Sequence, residues 1–232
     1  MEKNLLLISI AINFVFLFFG GYIIHKKGGI AYLKSKFNTQ NDYGTYYYAK
    51  KSIFENMPNA TSEIIFLGDS NIDFCNWHEL FGKSNIKNRG ISGDIINGVI
   101  DRLEEIVESK PKKIFLMIGT NDLGKKISVD NILSEYEKLV NLILVKTPET
   151  DLYLHSLLPT KDNPIRKNID IIEINKGIIQ IANRHSLTYV NLFDLLKTDN
   201  NELNMELSYD GLHINGKGYL IWKNEIIKYI DK

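Results

Sequence analysis

The residues IIFLGDS at positions 64–70 place four apolar side chains directly before a glycine, an aspartate and a serine. A short apolar run that ends in polar and turn-forming residues is typical of a strand buried on both faces of a sheet. Similar runs recur along the chain and together predict five strands, the second on the weakest pattern: Ile64 to Leu67, Asn85 to Asn88, Ile114 to Ile118, Leu152 to Leu154 and Leu187 to Val190.

Longer amphipathic segments separate these runs. They predict helices over about 94–111, 128–148, 167–183 and 218–230, with Asp94 and Ser128 as the capping residues of the first two. Strands that alternate with helices of this length predict an α/β fold, in which a parallel sheet lies between two layers of helices. In such a sheet the functional site lies at the carboxyl ends of the strands.

The composition excludes several classes of protein. Of the 232 residues 44% are hydrophobic and 24% charged, so the chain has enough apolar side chains for a packed core and is not a disordered protein. Its 28 basic residues balance 28 acidic ones, which argues against a nucleic-acid partner. The single cysteine, Cys75, forms no internal disulfide and supplies no thiolate cluster for zinc.

The N-terminal segment is predicted to be an appendage. Leu5 to Ile24 is apolar apart from Ser9, Asn13 and two glycines, and about twenty helical residues span one bilayer core, so we expect a transmembrane helix. A cleaved signal peptide is the alternative. The predicted organisation is a membrane anchor over 1–27, a tether and lead-in over 28–60, and a catalytic domain over 61–232.

Polar motifs follow the predicted strands or enter a helix. They are Gly68-Asp69-Ser70, Asn88-Arg89-Gly90, Gly119-Thr120-Asn121-Asp122 and, near the C-terminus, Asp210-Gly211-Leu212-His213. Each motif alone is common, but four of them in this order at strand ends predict one shared site.

Nucleophilic catalysis by a serine requires residues of these types. A histidine must accept the proton of the serine hydroxyl, and a carboxylate must hold that histidine in the correct tautomer. We expect Ser70, His213 and Asp210 to fill these roles, with the Ser70 N–H, the Gly90 N–H and the Asn121 amide as oxyanion donors. Asp69 and Asp122 are interpreted as supporting carboxylates. Asp94 is also expected to organise a loop, with Arg89 as a partner for it and Asp122.

These residues resemble the SGNH hydrolases, also called the GDSL esterase and lipase family, over about residues 46–230. The stretch NRGISGD at 88–94 is similar to the branch that contains the platelet-activating-factor acetylhydrolase catalytic subunits and bacterial lysophospholipase- or acetylesterase-like proteins. The resemblance implies a flavodoxin-like three-layer sandwich and an open serine esterase site that uses no metal or cofactor. One departure is Asn71, which follows Ser70 where the family motif has leucine.

Substrate and location are less constrained by the sequence. We expect hydrolysis of O-acetyl or other short acyl esters of glycans or small molecules, or of lysophospholipids. Acyl transfer by the same triad and a non-catalytic, membrane-tethered binding domain remain alternatives. Asp73 follows Gly68-Asp69 in a GDxxxD arrangement that resembles the Gly-Asp motif of metallophosphoesterases, but the histidines that such a metal site needs are missing.

The side of the membrane is predicted from two arguments that disagree. Four lysines follow the apolar run and one precedes it, which by the positive-inside rule favours a cytoplasmic domain. Bacterial esterases that this sequence resembles and that have one N-terminal apolar segment more often act outside the cytoplasmic membrane, so we expect an extracytoplasmic domain. The oligomeric state is left open.

Overall fold

The chain forms two compact units, Met1–Asp42 and Tyr43–Lys232. The computed structural model describes residues 2–26, 29, 43–58 and 63–231. The first unit contains one long helix, α1, over Glu2–Lys26. Residues 28, 30–42 and 59–60 of the predicted tether lie outside the described residues.

The membrane-spanning prediction for the N-terminal segment is not supported. Crossing a bilayer requires both a length of about 20 residues and continuous apolarity. Among the helices of the described ranges none meets both requirements. The structure therefore does not support the transmembrane helix expected from Leu5 to Ile24 or the membrane tethering that depended on it. The extracytoplasmic location stays an untested prediction.

The second unit is built on one parallel sheet of five strands. The strands are β1 (Ile64–Gly68), β2 (Ile86–Gly90), β3 (Lys113–Met117), β4 (Asp151–His155) and β5 (Thr188–Val190), in the order β2-β1-β3-β4-β5. All four neighbouring pairs are parallel. This is the strand order of flavodoxin-like folds, and all five predicted strands are confirmed, including the one with the weakest pattern.

The helices of the second unit connect and cover these strands. They are α2 (Thr45–Glu55), α3 (Ser70–Asp73), α4 (Trp77–Phe81), α5 (Ile96–Asp101), α6 (Leu103–Val107), α7 (Thr120–Gly124), α8 (Val129–Lys146), α9 (Asn168–Arg184), α10 (Phe193–Leu196) and α11 (Gly216–Ile230), with a short 3-10 helix over Met205–Leu207. The predicted cap of α8 is confirmed, because Ser128 Oγ accepts the N–H of Asn131 at 3.4 Å.

The core on one face of the sheet is a row of aromatic rings. Phe66, Phe115 and Tyr153 occupy paired positions on β1, β3 and β4, and their ring centroids are 5.0 Å and 4.6 Å apart. Trp77 of α4 stacks on Phe66 at 4.0 Å and meets Trp222 of α11 at 5.0 Å. Because side chains alternate along a strand, the neighbouring residues face the other layer, where α8 packs against α5, α6 and α9.

The second unit begins before the first strand. Its first helix, α2, is anchored by Tyr47, whose buried hydroxyl donates to the backbone oxygen of Gly98 at 2.7 Å. Tyr43 donates to Asp101 Oδ2 at 2.6 Å. Residues expected in the lead-in therefore pack as part of the same unit as the sheet.

The predicted helix over 94–111 is divided into α5 and α6, and Asp94 does not cap it. The N-cap of α5 is Ile95, which makes no side-chain capping bond. The Asp94 side chain instead turns inward and its Oδ2 accepts from Arg102 Nε at 2.9 Å. Arg89, expected as a partner of Asp94, pairs with Glu105 at 3.1 Å.

Arg102 connects Asp94 to the sheet. Its side chain and that of Asp94 are fully buried. Its guanidinium also donates to the backbone oxygen of Gly68 at 3.3 Å and of Arg89 at 2.9 Å, where β1 and β2 end. Gly98 leaves room for the carboxylate, because a Cβ at 98 would lie 2.0 Å from Asp94 Oδ1.

We expect Arg102→Met to lower the free energy of unfolding by about 3–5 kcal/mol, because the buried Asp94 carboxylate would lose its charged partner. Urea denaturation measures the change. Arg184→Met is the matched control: Arg184 pairs with Glu137 at the surface at 2.8 Å, so its loss should cost less than about 1 kcal/mol. Equal losses in the two variants would contradict the prediction.

Candidate active site

The strand ends bring together polar side chains from distant parts of the sequence. Ser70 begins α3 directly after β1, and Asp69 caps that helix, its Oδ1 accepting the N–H of Asn71 at 3.1 Å. Asn121 lies in α7, after β3, which pairs with β1. His213 lies in the loop before α11. Ser70 and His213, 143 positions apart, are in hydrogen-bond contact.

Ser70, His213 and Asp210 form a continuous chain of hydrogen bonds. Ser70 Oγ lies 3.0 Å from His213 Nε2, and His213 Nδ1 lies 2.6 Å from Asp210 Oδ2. Asp210 Oδ1 accepts the backbone N–H groups of Leu212 and His213 at 2.9 Å and 2.8 Å. Burial raises the pKa of Asp210, but these hydrogen bonds outweigh it and lower the pKa to about 2. The ionised carboxylate is an acceptor, which favours the histidine tautomer with its proton on Nδ1 and Nε2 open to Ser70.

Asn71, the departure from the family motif, joins α3 to the histidine loop. Its Oδ1 accepts the N–H of Ile214 at 3.4 Å, and its backbone oxygen accepts the hydroxyl of Tyr219 at 2.8 Å. Phe74, at the end of α3, is exposed and lies 4.9 Å from the imidazole of His213 between ring centroids. The side chain that replaces leucine thus bonds the residue next to His213.

The amide of Asn121 has a defined orientation. Its Nδ2 donates to the backbone oxygen of Asp94 at 3.0 Å, and its Oδ1 accepts from Arg166 Nη2 at 3.2 Å. An asparagine amide carries two N–H groups, so one of them remains for a ligand. The predicted donor Asn121 is therefore compatible with an oxyanion, as is the Ser70 N–H, which has no protein partner in the described part of the chain.

Gly90 is placed differently from the prediction. Its N–H donates to Asn88 Oδ1 at 2.7 Å, so this group is already bonded and is not open to an oxyanion. A Cβ at 90 would lie 2.2 Å from the backbone nitrogen of Asp73. Glycine is required here because β2 ends in direct contact with α3, and the expected donor role of Gly90 is corrected to close packing.

Gly93, three residues later, was not predicted. It has a φ of +82°, which favours glycine, and its N–H has no hydrogen-bond partner among the described residues. The residue before it, Ser92, is bonded to Asp73 of α3, and the oxygen of the residue after it, Asp94, accepts from Asn121. Gly93 is therefore held between α3 and Asn121. The motif SGD at 92–94 was the signal that could have identified it.

Asp73 connects α2 to the loop that carries Ser92 and Gly93. Its Oδ2 accepts from the hydroxyls of Tyr46 and Ser92, both at 2.7 Å, and from the Ser92 N–H at 3.1 Å. Its Oδ1 pairs with Lys50 at 2.7 Å, and these donors lower its pKa although burial opposes them. Asp73 thus serves as a structural anchor. No motif in the sequence identified Tyr46 or Lys50 as neighbours of the site.

Three buried carboxyl groups lie beneath the site. Burial raises the pKa of Asp69 to about 7, that of Asp122 to about 7 and that of Asp94 to about 6, and mutual repulsion among them adds to the effect at Asp69 and Asp122. Both oxygens of Asp122 accept the N–H of Ile96 at 3.3 Å. Asp69 and Asp122, which were predicted to support the site, thus do so by bonding backbone N–H groups: Asp69 caps α3 and Asp122 holds Ile96. The buried acidic groups are close enough to repel one another.

We expect Asp69→Asn to make the protein more stable at pH 8, with a smaller gain at pH 5 and little change near pH 4. The unfolded carboxyl titrates near 3.8 and the folded one near 7, so the folded state binds more protons between these values. The free energy of unfolding of the wild type therefore falls as pH rises through this window, by on the order of 2–4 kcal/mol for this group. Asparagine keeps the acceptor for Asn71 and does not titrate.

Urea denaturation at several pH values measures this difference. Asp199→Asn, a change at an exposed loop carboxyl, is the control and should leave the pH dependence as in the wild type. A pH dependence in Asp69→Asn identical to that of the wild type would contradict the assignment.

Known proteins share this architecture. The chain is 30% identical over 173 residues to the platelet-activating factor acetylhydrolase IB subunit alpha2 of Homo sapiens, covering 68% of this chain and 71% of that protein. A solved structure from Streptococcus pneumonia, described as a platelet activating factor, is 28% identical with a TM-score of 0.74, covering 80% of this chain and 92% of its own. Axe2, an acetylxylan esterase from Geobacillus stearothermophilus, is 19% identical with a TM-score of 0.57 over 75% of this chain and 96% of its own, a likeness of fold.

The family follows from the extent of these matches. Residues 63–221 match the GDSL-like Lipase/Acylhydrolase family, a range that includes β1 to β5 and every residue of the hydrogen-bonded chain from Ser70 to Asp210. The resemblance found in the sequence is thereby confirmed. The chain belongs to the GDSL-like lipase/acylhydrolase family, the SGNH hydrolases, and is a carboxylic ester hydrolase.

Proposed function

We propose that the protein hydrolyses short acyl esters through a covalent acyl-enzyme formed on Ser70. The observation that carries this proposal is the chain of contacts from Ser70 Oγ through His213 to Asp210, at 3.0 Å and 2.6 Å. A nucleophile within hydrogen-bond reach of a base, itself oriented by a carboxylate, is the arrangement that activates a serine hydroxyl.

In the first half of the reaction Ser70 Oγ attacks the ester carbonyl while His213 Nε2 accepts its proton. The imidazolium that forms is stabilised by the Asp210 carboxylate, which stays ionised because its pKa is about 2. His213 then donates the proton to the oxygen of the departing alcohol, and the acyl group remains on Ser70. In the second half, water gives a proton to His213 as it attacks the acyl-enzyme. His213 then returns this proton to Ser70 Oγ as the bond between Oγ and the acyl group breaks and the acid is released.

The negative oxygen of each tetrahedral intermediate needs preorganised donors. We assign the Ser70 N–H, the second N–H of Asn121 Nδ2 and, in place of Gly90, the Gly93 N–H. The support for Gly93 is its position between Ser92, which is bonded to α3, and Asp94, which is bonded to Asn121. Asp69 and Asp122 act indirectly in this proposal, by capping α3 and holding Ile96.

Two observations favour a short acyl group. The side chains of Asp210 and His213 are 52% and 23% exposed, so the site is open to solvent on its histidine side, which supports a small acyl group over a long one that needs burial. The human relative is by its name an acetylhydrolase. Acetyl esters, including O-acetyl groups on glycans, are therefore the proposed substrates, and lysophospholipids are the competing class.

The substrate proposal is tested with p-nitrophenyl esters from acetate to palmitate, alongside an O-acetylated glycan and a lysophospholipid. We expect kcat/KM to be highest for acetate and to fall steadily with chain length. A maximum at long chains, with release of fatty acid from the lysophospholipid, would replace the short-acyl assignment with a lipase-type one and leave the serine mechanism intact.

We expect Ser70→Ala to reduce kcat by about 10⁴- to 10⁶-fold, because the acyl-enzyme can no longer form. A fluorophosphonate probe should label the wild type at Ser70 and leave the variant unlabelled. The control Ser128→Ala removes a helix cap of α8 and should lose about 1 kcal/mol of stability at unchanged kcat. EDTA should leave the wild-type rate unchanged; activity that survives in Ser70→Ala would refute the mechanism.

We expect Asn121→Ala to reduce kcat by about 10²- to 10³-fold with KM little changed, because an oxyanion donor acts mainly in the transition state. Asn121→Asp keeps the shape and the acceptor for Arg166 while removing both donor groups, and it should be impaired at least as strongly. Steady-state kinetics with p-nitrophenyl acetate measure both variants. A wild-type kcat in both would exclude Asn121 from the oxyanion hole.

A further inference from the structure

Arg166 reaches the Asn121 amide from a loop that no motif of the sequence includes. It lies between β4 and α9, and its Nε donates to the backbone oxygen of Thr120 at 3.0 Å while its Nη2 donates to Asn121 Oδ1 at 3.2 Å. One guanidinium thus bonds both the backbone and the side chain at the start of α7. Two bonds from a planar group define its position much more narrowly than one would.

The surface of α7 is shaped to accept this group. A Cβ on Gly124 would lie 2.3 Å from Arg166 Nη2 and 2.6 Å from its Cζ. Gly124 is one helical turn beyond Asn121, so the guanidinium lies across the turn that carries the amide. Gly124 has a negative φ, which any residue can adopt. The structural reason for a glycine at 124 is therefore the space that it leaves for the guanidinium of Arg166.

The loop that carries Arg166 is itself fixed. The Arg166 N–H donates to Asn163 Oδ1 at 2.9 Å, and its backbone oxygen accepts from Thr160 Oγ1 at 2.7 Å. The N–H of Lys161 in the same loop donates to the oxygen of Gly211 at 2.7 Å. Gly211 lies between Asp210 and His213, so the loop is bonded both to the oxyanion side and to the histidine side of the site.

We propose that Arg166 is a positioning residue that fixes the orientation of the Asn121 amide in the oxyanion hole. The two ends of an asparagine amide have nearly the same shape, and an inverted amide would present an oxygen to the oxyanion. Arginine has donors only, so it bonds the oxygen end and excludes the inverted orientation. The Asp94 backbone oxygen holds one N–H on the other end, and the second N–H is directed at the substrate. This inference rests on the proposed role of Asn121.

The opposing explanation is that Arg166 serves stability alone. A residue that only stabilises the loop would change the melting temperature and leave kcat per folded molecule unchanged. A positioning residue should lower kcat with KM little changed, and its effect should depend on the presence of the Asn121 amide. A double-mutant cycle separates the two explanations.

The experiment measures kcat and KM for p-nitrophenyl acetate in wild type, Arg166→Met, Asn121→Ala and the double variant, with folding checked by circular dichroism and thermal melting. We expect Arg166→Met to lower kcat by about 10- to 100-fold, as misplacement of a catalytic group does. The double variant should have the kcat of Asn121→Ala, because without the amide nothing remains to be oriented.

Two further variants keep the test open if Arg166→Met folds poorly. Gly124→Ala leaves the arginine in the sequence but displaces its guanidinium, and it should lower kcat in the same way. Arg166→Lys keeps the charge and a single donor nitrogen, and it should have a higher kcat than Arg166→Met. Arg184→Met, an arginine paired at the surface with Glu137, is the matched control and should retain wild-type kcat.

Each outcome has one meaning. A wild-type kcat in Asn121→Ala would overturn the proposed role of Asn121 and, with it, that of Arg166. An impaired Asn121→Ala beside a wild-type kcat in folded Arg166→Met and Gly124→Ala would overturn the Arg166 inference alone. Losses that multiply in the double variant would do the same, because Arg166 would then act on something other than the amide.

Discussion

The buried ion pair of Arg102 and Asp94 is the interaction on which the site depends. It bonds a guanidinium at 0% exposure to a carboxylate at 0% exposure, and the same guanidinium holds the carbonyl groups at the ends of β1 and β2. Removing two charges from water is costly, and the cost is offset here in part because the guanidinium also bonds backbone oxygens at the ends of two strands. The position of Asp94 in turn sets the carbonyl that bonds Asn121, so a packing constraint inside the fold determines where an oxyanion donor lies.

The carboxyl groups of the site are of two kinds: one is ionised, and the others resist ionisation. Asp210, with a pKa of about 2, is ionised and bonded to His213, so it can stabilise a positive imidazolium. Beneath Ser70, burial raises the pKa of Asp69, and Asp94 and Asp122 add repulsion to it. A second full negative charge there would oppose the oxyanion that forms nearby, whereas a capping carboxyl that resists ionisation opposes it less. The two kinds of carboxyl differ in hydrogen bonding and burial, although both are aspartate.

The sequence was sufficient for the sheet and for the contacts among Ser70, His213 and Asp210, because these depend on local patterns. Apolar runs determine buried strands, and a serine, a histidine and an aspartate at strand ends have few other uses in combination. The choice between Gly90 and Gly93 as an oxyanion donor depended instead on where β2 ends in the sheet. Gly90 pairs with Gly68 and is still inside the sheet, whereas Gly93 lies in the loop beyond it, and no local pattern states where β2 ends. Asp94 was misassigned for the same kind of reason, because its partner Arg102 is chosen by packing and not by proximity in the sequence.

The residues that sequence reasoning missed share one property: each holds a group of the site from a separate segment. Tyr46 and Lys50 of α2 hold Asp73, which holds Ser92 beside Gly93. Arg166 holds Asn121 from the loop after β4. The three proposed oxyanion donors thus belong to three different segments, α3, the loop after β2 and α7, and each segment is fixed by its own polar contacts. Because an oxyanion is stabilised only when all its donors converge on one point, geometry must be maintained across elements that the sheet alone does not order. Helix α2, which precedes the first strand, therefore contributes to the site. Without Tyr46 and Lys50 of α2, the largely buried Asp73 carboxylate would lose two of its partners while it still bonds Ser92.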